Sequence, residues 1–334
     1  VSEEAFGNER GEVSYGIFQT AIEPALGIGM LINPSDWFQN EEIQVRKLRT
    51  GSQAVFIEEL RTQVEASTDR SLLLNINGFR ERFPSALRKT AFLAHVLDAN
   101  LPFVVFDWPG DQGSTIRGYR RAQRIARESG KDLADLIRLI GDEIQPRNLA
   151  IVANSMGGEV VVEAFLDLYQ DPAFSDPAAE ITHVVLTAPD VSHSQFNQSF
   201  KGKMLALTEQ VTVYVSSNDQ ALLMSRVLNR SRRLGESTVD PSKLDPSRPA
   251  PVEVDSTEEA SVVYEMIGPE KRLTLIDITP VNRTRNFHNF SLETPEFFND
   301  LFLRLANHPT PSSRTLYRVQ QSESREYWVL TSSR

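Results

Sequence analysis

The sequence predicts an α/β fold with a mostly parallel central sheet flanked by helices, and three observations predict it. Short apolar runs alternate with longer amphipathic ones through the middle of the chain, as β–α units around a parallel sheet do. One apolar run leads directly through a serine-centred turn into a helical run at 149–162. The 334 residues are 40% apolar and 24% charged, an ordinary globular composition at a length that buries a large core.

The elements follow in order. Ser71–Ile76 (SLLLNI) is a buried strand, 85–97 a helix and Phe103–Phe106 a strand. A long amphipathic helix is expected over Ile116–Glu143, with breaks at Gly130 and Gly141. Leu149–Ala153 is a third strand and Met156–Tyr169 a helix; His183–Thr187, Val211–Val215 and Leu273–Ile278 are further strands, and Thr294–Leu305 is the last helix. Residues 1–70 hold a strand-like run at Tyr15–Ala21 and a helix-like run at Ala54–Val64, and are expected to form an N-terminal extension packed on a catalytic core of 71–310. Between 229 and 262 the composition shifts to Arg, Ser, Pro, Asp and Glu, which predicts a flexible inserted loop. Residues 311–334 read as a hairpin-like tail.

The bulk numbers exclude several functions. A formal net charge of -10 disfavours binding to nucleic acid and to anionic lipid surfaces. The absence of cysteine removes disulfides, thiolate metal sites and cysteine nucleophiles. No apolar run approaches the roughly 18 residues of a membrane span, so no integral membrane segment is expected. No His-x-x-x-His cluster appears, and neither a metal nor a cofactor is expected. The chain opens Val-Ser-Glu-Glu, which reads as a truncated or processed N-terminus, with a cytoplasmic and an exported location both left open. Oligomeric state is not legible.

Chemistry concentrates at Ala153-Asn154-Ser155-Met156-Gly157, where strand, tight turn and helix meet as in a nucleophile elbow. Such a turn strains the serine backbone and needs small residues two before and two after it, here Ala153 and Gly157. The turn would expose the Ser155 hydroxyl above the sheet and aim the Met156 N–H at a developing oxyanion. A second oxyanion donor is expected from the loop after Ser71–Ile76, where Asn77-Gly78-Phe79 makes the Phe79 N–H the candidate.

Of the five histidines, His288 lies after the last predicted strand and before the last helix, where the base of this fold is presented. His193 is a second candidate; His95 reads as a partly buried structural residue, and His183 and His308 read as surface residues. The acid belongs at a strand end between serine and histidine. Asp219 follows Val211–Val215, and Asp190 follows His183–Thr187; the chain order admits both. Phe196, Phe200 and Met204 fit either a lid or acyl pocket, or ordinary core. Arg80, Arg82 and Arg88 fit either anion attraction or a solvated face.

Taken together, LLLNINGF, FVVFDWPG with its Trp-Pro turn, VANSMGGEVVVEAF, LTAPDV, YVSSNDQALLMSRVL, LIDITPV and the histidine loop resemble a group of bacterial α/β-hydrolases long classed as a domain of unknown function. The resemblance spans residues 71 to 305. It implies the α/β-hydrolase fold, a triad of Ser155, His288 and Asp219, and serine esterase or lipase-like cleavage of a small-molecule acyl ester. It favours Asp219 through the Ser-x-Asp-x-Ala-Leu context. Two positions depart from the group, which carries His where this chain has Asn77 and Asn154. A hydrolase-fold scaffold without turnover is the alternative from another class.

Overall fold

A computed structural model describes residues 6–22, 43–172, 174, 181–236, 272–284, 288–305, 316–322 and 325–332. Strand β1 (Tyr15–Ile22) pairs antiparallel with β2 (Ile43–Gly51), from Tyr15 opposite Gly51 to Ile22 opposite Ile43. The two make a ribbon of their own and do not extend the main sheet. Helix α1 (Gln53–Ala66) starts at Ser52, whose hydroxyl accepts the Val55 N–H, and buries Ile57, Leu60 and Val64.

The core alternates as the sequence predicts. Strand β3 (Ser71–Ile76) leads to helix α2 (Phe83–Leu97), then to β4 (Phe103–Phe106), helix α3 (Ile116–Glu143), β5 (Asn148–Asn154) and helix α4 (Gly157–Tyr169). Strand β6 (Ile181–Thr187) is followed by two short helical turns, His193–Gln195 and Phe196–Phe200, and by helix α5 (Lys201–Leu207). Strand β7 (Thr208–Val215), helix α6 (Gln220–Asn229), β8 (Leu273–Asp277), the turn Phe290–Glu293, helix α7 (Pro295–Leu305), β9 (Leu316–Ser322) and β10 (Arg325–Leu330) complete the order.

These strands form an eight-stranded sheet in the order β4-β3-β5-β6-β7-β8-β10-β9. All neighbours from β4 to β10 run parallel, and β9 closes the edge antiparallel to β10. The strands are nearly continuous apolar runs because both faces are covered. Leu72, Leu74 and Ile76 of β3 feed one core, shared with Ile151, Val213 and α4, while Leu73 feeds a second core with Val152, Tyr214 and Phe92. Each such fully buried aliphatic side chain contributes roughly 1.5–3 kcal/mol.

Two sequence expectations are corrected. Helix α3 runs unbroken through Gly130 and Gly141 for 28 residues. Gly130 serves the packing of α3 on α4 instead, because a Cβ there would lie 2.5 Å from the Glu163 Cβ and 3.0 Å from the Ala164 nitrogen. His183 is not a surface residue: it is 5% exposed, and its Nε2 hydrogen-bonds the Thr212 hydroxyl at 2.8 Å. Burial, reinforced by the charge of Arg304, pushes its pKa down to about 3. Residues 237–262 of the expected insertion, and His308, lie outside the described residues.

Candidate active site

The site is assembled where β3, β5, β7 and β8 end at their carboxyl edges, the position at which parallel sheets expose side chains to a crevice. Strand β5 passes into Ser155, which has φ 53, a left-handed conformation that costs a serine about 1–3 kcal/mol. The surroundings hold it there. The Ser155 N–H donates to the Thr187 carbonyl at 2.9 Å, and its own carbonyl accepts the N–H groups of Gly158 and Asp190, each at 3.0 Å.

The loop after β3 lies against this turn. A Cβ at Gly157 would sit 2.7 Å from the Asn77 carbonyl oxygen, and one at Gly78 would sit 2.9 Å from the Ser155 Cβ. Glycine is therefore required at both positions for the two loops to touch. The Trp108 indole N–H donates to the Asn77 carbonyl at 2.8 Å and secures the loop from its other side. Among the described residues, the backbone N–H groups of Met156 and Phe79 donate to no protein acceptor, whereas the next one along, that of Arg80, is taken by the Gly110 carbonyl.

Asp219 caps α6: its Oδ1 accepts the Leu222 N–H at 3.0 Å. Its Oδ2 lies 2.7 Å from Nδ1 of His288, and the carboxylate is fully buried. Burial of the imidazole disfavours its charged form, but the charge and hydrogen bond of Asp219 outweigh that and hold the His288 pKa above the usual 6.5. The loops that carry the pair are joined. Ser217 N–H donates to the Thr279 hydroxyl at 2.9 Å, and the Asn282 amide donates to the Ser216 hydroxyl at 2.9 Å.

Asp190 meets different partners. Its carboxylate accepts Arg233 Nε at 2.6 Å, the Tyr119 hydroxyl at 2.7 Å and the Ser225 hydroxyl at 2.5 Å, in a buried network that fastens β6 to α3 and α6. His193 stands on the helical turn after β6, its ring within reach of the Asn197 amide. Phe196, Phe200 and Met204 are buried in the core that includes Val160 and Phe165, as ordinary packing. Arg82 pairs with Asp111, and Arg88 donates to the Ile43 and Pro84 carbonyls.

One contact escapes sequence reasoning altogether. The Asn154 side-chain amide, beside Ser155, donates to the Thr187 hydroxyl at 3.1 Å and to the Ser291 hydroxyl at 3.2 Å. Ser291 belongs to the helical turn that follows His288, so this bond ties the elbow to the histidine loop. Nothing local in the sequence marks it, since the partners are 137 residues apart.

Residues 52–288 match the family described as alpha/beta hydrolase of unknown function, DUF900. The chain belongs to that family. The match covers most of the sequence and agrees with the parallel sheet, its flanking helices and the expected resemblance. No curated protein matches this DUF900 chain. Among solved structures, an esterase B from Lactobacillus rhamnosis is similar at 13% identity, over 73% of this chain and 79% of that one, with a TM-score of 0.33. A lipase-esterase related protein from Clostridium acetobutylicum is similar at 13% identity, over 48% of this chain and 82% of that one, with a TM-score of 0.27. At that distance neither likeness bears on substrate or mechanism. Among the described residues, no helix is long and apolar enough to cross a membrane.

Proposed function

We propose that this DUF900 chain is a serine hydrolase that cleaves carboxylic ester or thioester bonds, with Ser155 as nucleophile, His288 as general base and Asp219 as the acid that orients it. The observation that carries the reading is the 2.7 Å contact between Asp219 Oδ2 and His288 Nδ1. A buried carboxylate on Nδ1 fixes the tautomer whose lone pair lies on Nε2, the form that accepts a proton. The positive φ of Ser155 supports the same reading, because strain of that kind persists where a side chain must be aimed.

In the proposed cycle, Nε2 of His288 takes the Ser155 hydroxyl proton as Oγ bonds to the acyl carbon. The carbonyl oxygen becomes an oxyanion, which the N–H groups of Met156 and Phe79 receive with help from the positive end of the α4 dipole. The imidazolium then protonates the leaving alkoxide or thiolate, and the carbon–heteroatom bond breaks. Water, deprotonated by the same imidazole, attacks the acyl-enzyme, and the carboxylic acid departs while Ser155 regains its proton. Asp219 orients the imidazole and stabilises the imidazolium that forms.

The test is labelling with a fluorophosphonate probe, together with turnover of a chromogenic ester. Labelling of the parent protein is expected at Ser155 and is lost in Ser155→Ala and His288→Ala. Both substitutions are expected to lower kcat by on the order of 10^4 to 10^6. A loss under about tenfold in either variant, with the fold intact, overturns the proposal.

A further inference from the structure

A cavity of about 340 Å³ opens at the β4 edge of the sheet, away from Ser155, Asp219 and His288, none of which lines it. The sheet ends at β4 on this side, and the β1–β2 ribbon stands across the gap in place of a further paired strand. The segment before β1, helix α1 and parts of α2 and α3 complete the walls. The volume falls at the small end of the roughly 300–1,000 Å³ typical of small-molecule sites.

The walls have a distinct chemistry. Phe6 lies against Phe83 with ring centroids 4.6 Å apart, Tyr15 lies against Phe56 at 5.2 Å, and the Trp108 indole closes the end nearest the Asn77 loop. Around these rings stand the carboxylates of Glu9, Glu12, Glu59, Asp107 and Asp132; Glu59 pairs with Arg49, Glu9 with Arg121 and Asp132 with Arg10, which leaves Glu12 and Asp107 without a cation among the described residues. The Arg10 guanidinium, which lines the cavity, is committed to Asp132 with bonds of 2.7 and 2.9 Å. Asp107 has no hydrogen bond or ion pair with any described residue. Burial, and then the charge of Glu81, push its pKa up to about 7.

We propose that this cavity binds an organic cation: an ammonium group carried on a compact apolar or aromatic body. Fatty-acid anions and phosphate esters are opposed by the two unpaired carboxylates, Glu12 and Asp107. A neutral apolar guest would cover the rings but strip water from the partly exposed Asp107 carboxyl without giving it a partner, which is costly. A cation satisfies both features, since ring faces attract positive charge and an ammonium N–H supplies the missing donor. The site is separate from the proposed ester chemistry and does not depend on it.

Calorimetric titration of the full chain tests this with phenethylamine, phenethyl alcohol and phenylacetate, which share one body and differ in charge. The amine is expected to bind about tenfold tighter than the alcohol, with phenylacetate weakest. Asp107→Asn should bring the amine down to the affinity of the alcohol, and Phe56→Leu should weaken it independently, each checked for an unchanged melting curve. Ser155→Ala should leave amine binding as in the parent, which separates this outcome from the fate of the hydrolase reading. Equal binding of all three ligands, binding of none, or an amine preference that survives both cavity substitutions overturns the proposal.

Discussion

Replacing Asp219 with asparagine separates the two tasks of one buried carboxylate. Oδ1 caps α6 through the Leu222 N–H at 3.0 Å, and Oδ2 meets His288 Nδ1 at 2.7 Å. Asparagine can keep its carbonyl on the cap, but it then turns an NH₂ group toward Nδ1. The imidazole must answer with a lone pair at Nδ1 and carry its proton on Nε2, so the nitrogen proposed as the base no longer accepts a proton. By analogy with the same change in serine protease triads, kcat/KM is expected to fall by about 10^4, near 5.5 kcal/mol in the barrier. The pH profile supplies a second reading. Burial is the largest influence on His288 and lowers its pKa; Asp219 reverses that, and without its charge the pKa should drop below 6.5. Since the base acts in its neutral form, the acid limb of kcat/KM lies above pH 6.5 in the parent and moves below it in the variant. Hydrolysis of a chromogenic ester from about pH 5 to 9, beside melting curves, measures both. A variant within tenfold of the parent, with its acid limb in place, refutes the assignment of Asp219 as the acid that orients His288.

Three further outcomes are expected. Asp190→Asn should remove the partner of buried Arg233 and destabilise the fold by about 3–5 kcal/mol in denaturant titration, while kcat/KM of the folded fraction stays within tenfold of the parent; a triad-sized loss would restore Asp190 as the acid. Asn154→Ala cuts the bond to Ser291, so kcat should fall about 10- to 100-fold with little change in KM and the melting curve nearly unmoved; an unchanged kcat would deny Asn154 a positioning role. For His183, the folded pKa of about 3 lies below the unfolded 6.5, so the unfolded chain takes up the proton first and stability is lost as pH falls from 6.5 toward 3. The loss between pH 7 and pH 5 is about 2 kcal/mol, and chemical denaturation of His183→Gln at both values should lack that share of it.

The sheet was legible because its strands are apolar on both sides. Runs such as SLLLNI and HVVLT have no other way to satisfy their side chains than between two helical layers. The turn at Ser155 was legible because steric demand at residues two before and two after it is local. What the sequence hid depends on partners far along the chain. Gly130 looks like a helix breaker until α4 is laid across it, and His183 looks like a polar strand opening until Thr212 is set beside its Nε2. The ribbon of β1 and β2 was half legible: Tyr15–Ala21 has strand character, but nothing in it says that it stands off the β4 edge and leaves a cavity.

The choice between the two aspartates shows why chain order alone was insufficient. Asp190 and Asp219 both follow a strand end, and both are buried, so each must find a positive or donating partner. What distinguishes them is which cation reaches them. Arg233 lies just beyond α6, in a stretch whose composition reads as the start of a loop, yet its guanidinium turns inward and takes Asp190. With that carboxylate occupied on several sides, His288 meets the other, whose second oxygen is already fixed by a helix cap. The reading of Asp219 as the orienting acid therefore rests as much on Arg233 as on His288, because an unfilled Asp190 would compete for the same imidazole.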